Sequence, residues 1–178
     1  MKYLFFISFI SITIIGCNSN EKTLNSNEEK IINNCINSIL TKINNQKLKN
    51  CFIVNPYFDL VSQNDYYENF EDILIKKFGK KKDKIYESQK NLNEKSKNGF
   101  YKDLIKFSTC NKSNIVIKFL DISDNLVFAQ LIDNYEEINI DDLNPNSKFQ
   151  PSQVYLYVFV IGENGKINEV LTDGVYYD

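Results

Sequence analysis

Histidine, arginine and tryptophan are absent from this 178-residue chain, and alanine occurs once, at Ala129. Without histidine there is no Ser-His-Asp or Cys-His nucleophile system, no H-E-x-x-H zinc site and no imidazole switch near neutral pH. Without arginine, all 21 basic residues are lysines, so a bidentate guanidinium clamp on phosphate or carboxylate is excluded. The bases stand against 23 acids, a net charge of −2, which excludes bulk electrostatic capture of nucleic acid.

What is present is apolar. Hydrophobic residues make up 43% and aromatics 13%, enough for a core, so a wholly disordered chain is excluded. Lys, Asn and Ile together supply 69 of the 178 residues, the signature of an A+T-rich genome. Richness in Asn and Lys therefore says little about function. Because Asn is a poor helix former, helices must be read from apolar spacing.

The amino terminus holds the most specific signal. Behind Met1-Lys2, the stretch Tyr3–Ile15 is 13 residues interrupted by Ser8, Ser11 and Thr13 alone. It is too short to span a bilayer comfortably and has the length of a signal-peptide core. It ends in Ile14-Ile15-Gly16-Cys17. This resembles the lipobox of bacterial lipoproteins: an aliphatic residue, a variable position, a small residue, then cysteine. The resemblance covers residues 1–17. It implies cleavage after Gly16, a diacylglyceryl thioether on Cys17, further acylation (palmitate or a similar chain), and a domain held extracytoplasmically at the cell envelope. Two or three acyl chains anchor far more firmly than one. Asn18 is not the aspartate that retains enteric lipoproteins at the inner membrane, which points to the outer membrane if the organism has one.

Residues 17–26 then read as the lipidated cysteine and a flexible tether, and 27–178 as one domain. Ser26-Asn27-Glu28-Glu29 has capping-box form. Ile31, Ile32, Cys35, Ile36, Ile39, Leu40 and Ile43 recur at helical spacing and predict an amphipathic helix over 27–47. A packed connection is expected at 52–60 and a second helix over 65–78, ending at Gly79. Residues 83–97 form a solvated helix at best, and 100–107 is a short helix or a strand. Strands follow at 115–120, 126–132, 154–161 and 167–171, with a short one at 175–177. Ser123-Asp124-Asn125 and Asn164-Gly165 mark hairpins, and 133–153 is an acidic loop. Helices followed by hairpins predict an α+β fold, with N-terminal helices packed on an antiparallel sheet of four to five strands. The order loosely resembles NTF2-like or cystatin-like domains.

Several residues are candidates for chemistry. Tyr155, Tyr157 and Phe159 share one face of an eight-residue apolar strand; they are either core or the lining of a pocket for a small hydrophobic ligand. Six lysines between 76 and 84 are a solvated helix end or a contact for anionic headgroups. Asp121, Asp124, Asp133, Glu136, Glu137, Asp141 and Asp142 lack the order of a calcium loop and read as solvated. No catalytic residue, metal ligand set or cofactor is singled out. Of Cys35, Cys51 and Cys110, the first lies on the helix's apolar face and reads as a buried thiol. If a pair bonds, Cys51 with Cys110 is favoured, since both sit at element boundaries.

The function expected from these residues is binding: a membrane-anchored, non-catalytic domain that takes a small ligand or an envelope protein, with no nucleic-acid partner. A carboxylate-dependent envelope enzyme and an inhibitor or immunity-type protein that masks a partner are the alternatives.

Overall fold

The computed structural model describes residues 21–42, 51–57, 70, 100–123, 125–144 and 147–176. Cys17 with its lipobox, the helix expected at 65–78, the lysines at 76–84 and the stretch 83–97 fall outside these residues, Phe70 excepted. In chain order the elements are β1 (Glu21–Lys22), α1 (Ser26–Lys42), β2 (Ile53–Asn55), β3 (Phe100–Tyr101), β4 (Lys112–Ser123), β5 (Leu126–Asn139), β6 (Pro151–Ile161) and β7 (Ile167–Tyr176). Short 3-10 turns lie at Lys102–Phe107, Ile140–Asp142 and Glu163–Gly165. The fold is α+β. Five strands form one open mixed sheet in the order β2-β4-β5-β6-β7, and β1 pairs with β3 separately.

Two expectations are corrected here. The sheet is not wholly antiparallel, because β2 runs parallel to β4, with Ile53 opposite Val116 and Asn55 opposite Lys118. The segment expected as a packed connection supplies that strand: Ile53 and Val54 are fully buried β-branched residues, and Pro56 follows the strand directly. Nor does a set of N-terminal helices pack on the sheet. Among the described residues α1 is the one α-helix longer than a single residue; Phe70, the one described residue of the segment expected as a second helix, is helical, and 100–107 is a two-residue strand followed by a 3-10 turn.

Helix α1 starts at Ser26, one residue earlier than expected. Asn25 is its cap: the Asn25 Oδ1 accepts from the backbone N–H of Asn27 and of Glu28, each at 3.0 Å, and the Glu28 carboxylate accepts from Asn25 N–H at 2.8 Å. Asn25-x-x-Glu28 and Ser26-x-x-Glu29 both fit the motif, and Asn caps as well as Ser does. The helix then buries Ile31, Ile32, Cys35, Ile36 and Ile39. These share a core with Val54, Ile115, Ile117, Phe119, Val127, Ala129, Leu131, Tyr157 and Phe159 from four strands. Each fully buried Ile or Phe contributes roughly 1.5–3 kcal/mol over exposure.

Strand alternation sends the other half of the residues to the opposite face. There Ile53, Val116, Leu120, Phe128, Ile132, Val154, Leu156 and Val158 form a second core with Phe70, Ile140 and Leu143. The sheet is therefore buried on both sides, which explains the uninterrupted apolar run of β6.

The strands outrun their apolar stretches. β5 continues to Asn139, so the first part of the expected acidic loop is strand. Between the pairs Ser113–Ile138 and Ile115–Asp133, four residues of β5 face Asn114 alone, an irregularity that turns Tyr135 outward to 66% exposure. At the β6–β7 turn, Asn164 and Gly165 both have positive φ, 61° and 71°. Asn and Gly are the residues that adopt this conformation at least cost. A Cβ on Gly165 would stand 3.1 Å from Ile31 Cγ1, and Asn34 Nδ2 donates to the Gly165 carbonyl at 3.0 Å. The turn thus docks on α1.

Candidate functional site

The residues singled out in the sequence are dispersed through the fold. Tyr157 and Phe159 are buried in the core under α1, their rings stacked with centroids 5.9 Å apart, and Tyr155 packs against the same cluster half-buried. Burial, then the neighbouring Tyr155, pushes the Tyr157 hydroxyl up to about 12. An open groove of about 560 Å³ lies elsewhere, between α1 and β7, lined by residues including Asn37, Ser38, Thr41, Asn168 and Glu169.

Cys51 and Cys110 form a disulfide, with Cα atoms 5.5 Å apart and a sequence separation of 59. Cys35 is free and buried. Burial pushes its thiol up to about 12, so the thiolate that would make it reactive is suppressed. The disulfide sits where β2 begins. Beyond it the N–H of Phe52 donates to the Thr109 hydroxyl at 3.0 Å and the N–H of Val54 to the Ser108 hydroxyl at 2.8 Å. The Thr109 N–H returns to the Phe52 carbonyl at 3.0 Å. The outer edge of β2 is thereby closed by the chain that leads into β4.

The acids do not converge. Glu136, Glu137, Asp141 and Asp142 are exposed, Glu137 pairs with Lys112 at 3.1 Å, and Asp133 accepts from Asn114 Nδ2 at 3.0 Å. Among the described residues no group of three or more Cys, Asp or Glu side chains is placed to hold a metal ion, and no helix is long and apolar enough to cross a membrane.

Polar groups do converge on the sheet face opposite α1. Asn55 of β2, Lys118 of β4 and Gln130 of β5 are direct register partners, Asn55 opposite Lys118 and Lys118 opposite Gln130. Their exposures are 2%, 7% and 6%. Adjacent strands lie about 4.8 Å apart, so the row spans roughly 10 Å. Its surroundings are apolar: Ile53, Val116, Leu120, Phe128, Ile132 and, next in the row, Leu156. The Asn55 Oδ1 is used locally, accepting from Tyr57 N–H at 3.0 Å. The Lys118 ammonium lies 5.5 Å from the centroid of the Phe149 ring, a cation–π contact, and Lys118 is engaged beyond that ring as well. Among the described residues nothing hydrogen-bonds the Gln130 side-chain amide.

Among the described residues the row is an ammonium between two amides, with no carboxylate placed beside it for acid–base work. No motif marks these residues, because each lies inside an otherwise apolar run. The signal was available. Lys118 shares a strand face with Val116 and Leu120, and Gln130 with Phe128 and Ile132, so each is one polar residue among apolar neighbours at period two. Comparison of the chain with protein-family models, with curated proteins and with solved structures gives no match in any of the three.

Proposed function

We propose that this chain is a lipid-anchored bacterial lipoprotein whose domain, residues 27–178, stands outside the cytoplasm at the cell envelope and binds rather than transforms its target. The observation that carries the reading is the Cys51–Cys110 disulfide, taken together with Ile14-Ile15-Gly16-Cys17. Disulfides persist in oxidising compartments and are rare in the cytosol, so a bonded pair behind a signal-like amino terminus supports export. Cys17 would carry the lipid, Cys51 and Cys110 the bridge, and Cys35 stays shielded in the core. The single-domain reading is supported by the core that α1 shares with the strands of the sheet. The same arrangement, a helix on one face of a largely antiparallel sheet, supports the looser likeness to NTF2-like or cystatin-like domains. Binding is favoured over catalysis because two of the three groups in the buried polar row are amides, which hydrogen-bond but do not titrate.

The test is intact-mass analysis of the native protein together with detergent phase partition. The expected result is a chain beginning at Cys17, heavier than its polypeptide by two or three acyl chains, and entering the detergent phase. Cys17→Ser should abolish both processing and the added mass. A mature protein without acyl mass would overturn the anchor.

A further inference from the structure

We propose that the outer edge of β7 takes up an extended, lysine-bearing segment of a partner protein as a sixth strand, antiparallel to β7, with uncharged side chains of that segment in the groove beside α1. This deepens the binding reading above, on which it rests, by naming the kind of partner.

Three observations converge. The first is the contrast between the two ends of the sheet. The outer edge of β2 is closed by the Ser108 and Thr109 hydroxyls, whereas β7 ends the sheet with ten residues and no proline. The second is what that edge presents. The Ile161 N–H donates to the Asn125 carbonyl at 2.7 Å, so odd-numbered residues of β6 bond to β5 and even-numbered ones to β7. Val160, Val158 and Leu156 are therefore bonded to Glu169, Leu171 and Asp173. Val170, Thr172 and Gly174 turn their N–H and C=O groups outward, each residue about 7 Å from the next. The Gly174 N–H donates to the Asp173 carboxylate at 2.8 Å, and among the described residues nothing pairs with the outward groups of Val170 and Thr172. The third is the groove of about 560 Å³ beside this edge, lined by Asn37, Ser38 and Thr41 from α1 and by Ile167 and Val170 from β7.

A polypeptide in extended form presents donors and acceptors at the spacing of this edge, which fixes the class of partner. Charge fixes its pattern. Alternation places Leu171 and Asp173 on the sheet face away from α1, and Val170 and Thr172 on the face beneath it. Asp173 is exposed and β7 holds no base, so a lysine of the partner belongs on that reverse face. On the α1 side the groove offers hydroxyls, amides and apolar carbon, with Lys42 also on its lining, and suits an uncharged residue such as valine. A second copy of this chain fits less well, because twofold pairing about Thr172 sets the two Asp173 carboxylates diagonally across the join.

The experiment follows the backbone amides of the full chain in a non-ionic detergent by NMR while a blocked peptide of alternating lysine and valine is added. At saturation the Val170 and Thr172 amides should exchange with solvent about tenfold more slowly, with those of β5 unchanged. N-methylation of the valines, whose N–H groups face β7, should weaken binding about tenfold or more, and N-methylation of the lysines should not. Glutamate in place of lysine should weaken it by a similar factor. Thr172→Pro removes an outward N–H and no ladder bond, so it should fold as the wild type does by circular dichroism and lose the response; should it unfold, the two methylated peptides decide. No slowing at Val170 and Thr172 overturns the proposal. So does equal binding of the valine-methylated or the glutamate peptide, or a chain already dimeric with those amides protected before peptide is added. The intact mass of the same sample keeps the two readings apart. An acylated chain that ignores the peptide refutes this site alone, and an unacylated chain that binds it refutes the anchor alone.

Discussion

Two neighbouring rows of the sheet, one residue apart, follow opposite rules. Under α1, Val54, Ile117 and Leu131 stand side by side on β2, β4 and β5, with Tyr155 beyond them on β6. On the reverse face the next row is Asn55, Lys118 and Gln130, with Leu156 beyond. The backbone is common to both, so the difference lies wholly in side chains. The α1 face is what packing alone selects: apolar, closed and complete. The other face gives up hydrophobic burial at three central positions. It also carries an amide that no described group satisfies, a cost of about 1–3 kcal/mol. A domain whose net stability is only about 5–15 kcal/mol does not carry such a cost without effect. The comparison separates a wholly apolar face from one that carries a buried polar row.

The largest effect should come from breaking the first face. Ile36 lies in the core under α1 at 4% exposure, and Ile36→Asp buries a charge there with no partner. The expected loss is about 4 kcal/mol or more, enough to leave the chain largely unfolded at 25 °C by circular dichroism. A cooperative melt close to that of the wild type would mean that α1 does not hold this face.

The disulfide ranks next because it fixes β2, the strand that contributes to both rows. Cys51→Ala with Cys110→Ala opens a loop of 59 residues, and chain-entropy scaling puts the loss at about 4 kcal/mol. Urea denaturation measures it. Hydrogen exchange should show the Phe52 and Val54 amides, held by the Thr109 and Ser108 hydroxyls, losing protection before those of β5 and β6. Uniform loss across the sheet would contradict a local clamp.

Alkaline pH probes two groups buried on the α1 face. Cys35 rises from 9.0 to about 12 because burial disfavours its thiolate, and Tyr157 rises from 10.0 to about 12 for the same reason, with Tyr155 adding to it. In both cases the protonated form is the one folded into the core. Their contribution is therefore complete below pH 9 and is lost as pH climbs toward 12, where the unfolded chain has released protons that the folded chain keeps. Stability should fall by roughly 1 kcal/mol per pH unit for each group inside its window. Cys35→Val should flatten the first part of the decline, from 9 to 10, in urea titrations run across that range. A wild-type curve that stays flat to pH 11 would show that these side chains reach solvent.

Much of this organisation was legible in the residues. The α1 face was readable because Ile31, Cys35, Ile36 and Ile39 repeat at helical spacing, and that period is a local property. The hairpins were readable because Asn-Gly and Asp-Asn turns carry their own backbone preference. The parallel pairing of β2 was not, since three residues before a proline give no period, and their partner lies about sixty positions away. The extra length of β5 was hidden for a different reason: residues 134–137 are polar, and the irregularity opposite Asn114 lets a strand continue where alternation stops. The polar row was hidden because its members come together only through register. Each looks like a minor interruption within its own strand.

The claim that the second face gives up stability at its polar row is tested most directly at Gln130. Gln130→Leu replaces a buried amide that no described group partners with an apolar side chain of similar size on an apolar floor. With no ligand present, urea denaturation should find the variant more stable than the wild type by about 1–2 kcal/mol, with an unchanged m-value. A variant less stable than the wild type would contradict the account, because it would show that the Gln130 amide is already satisfied and that this face, like the one under α1, serves the fold alone.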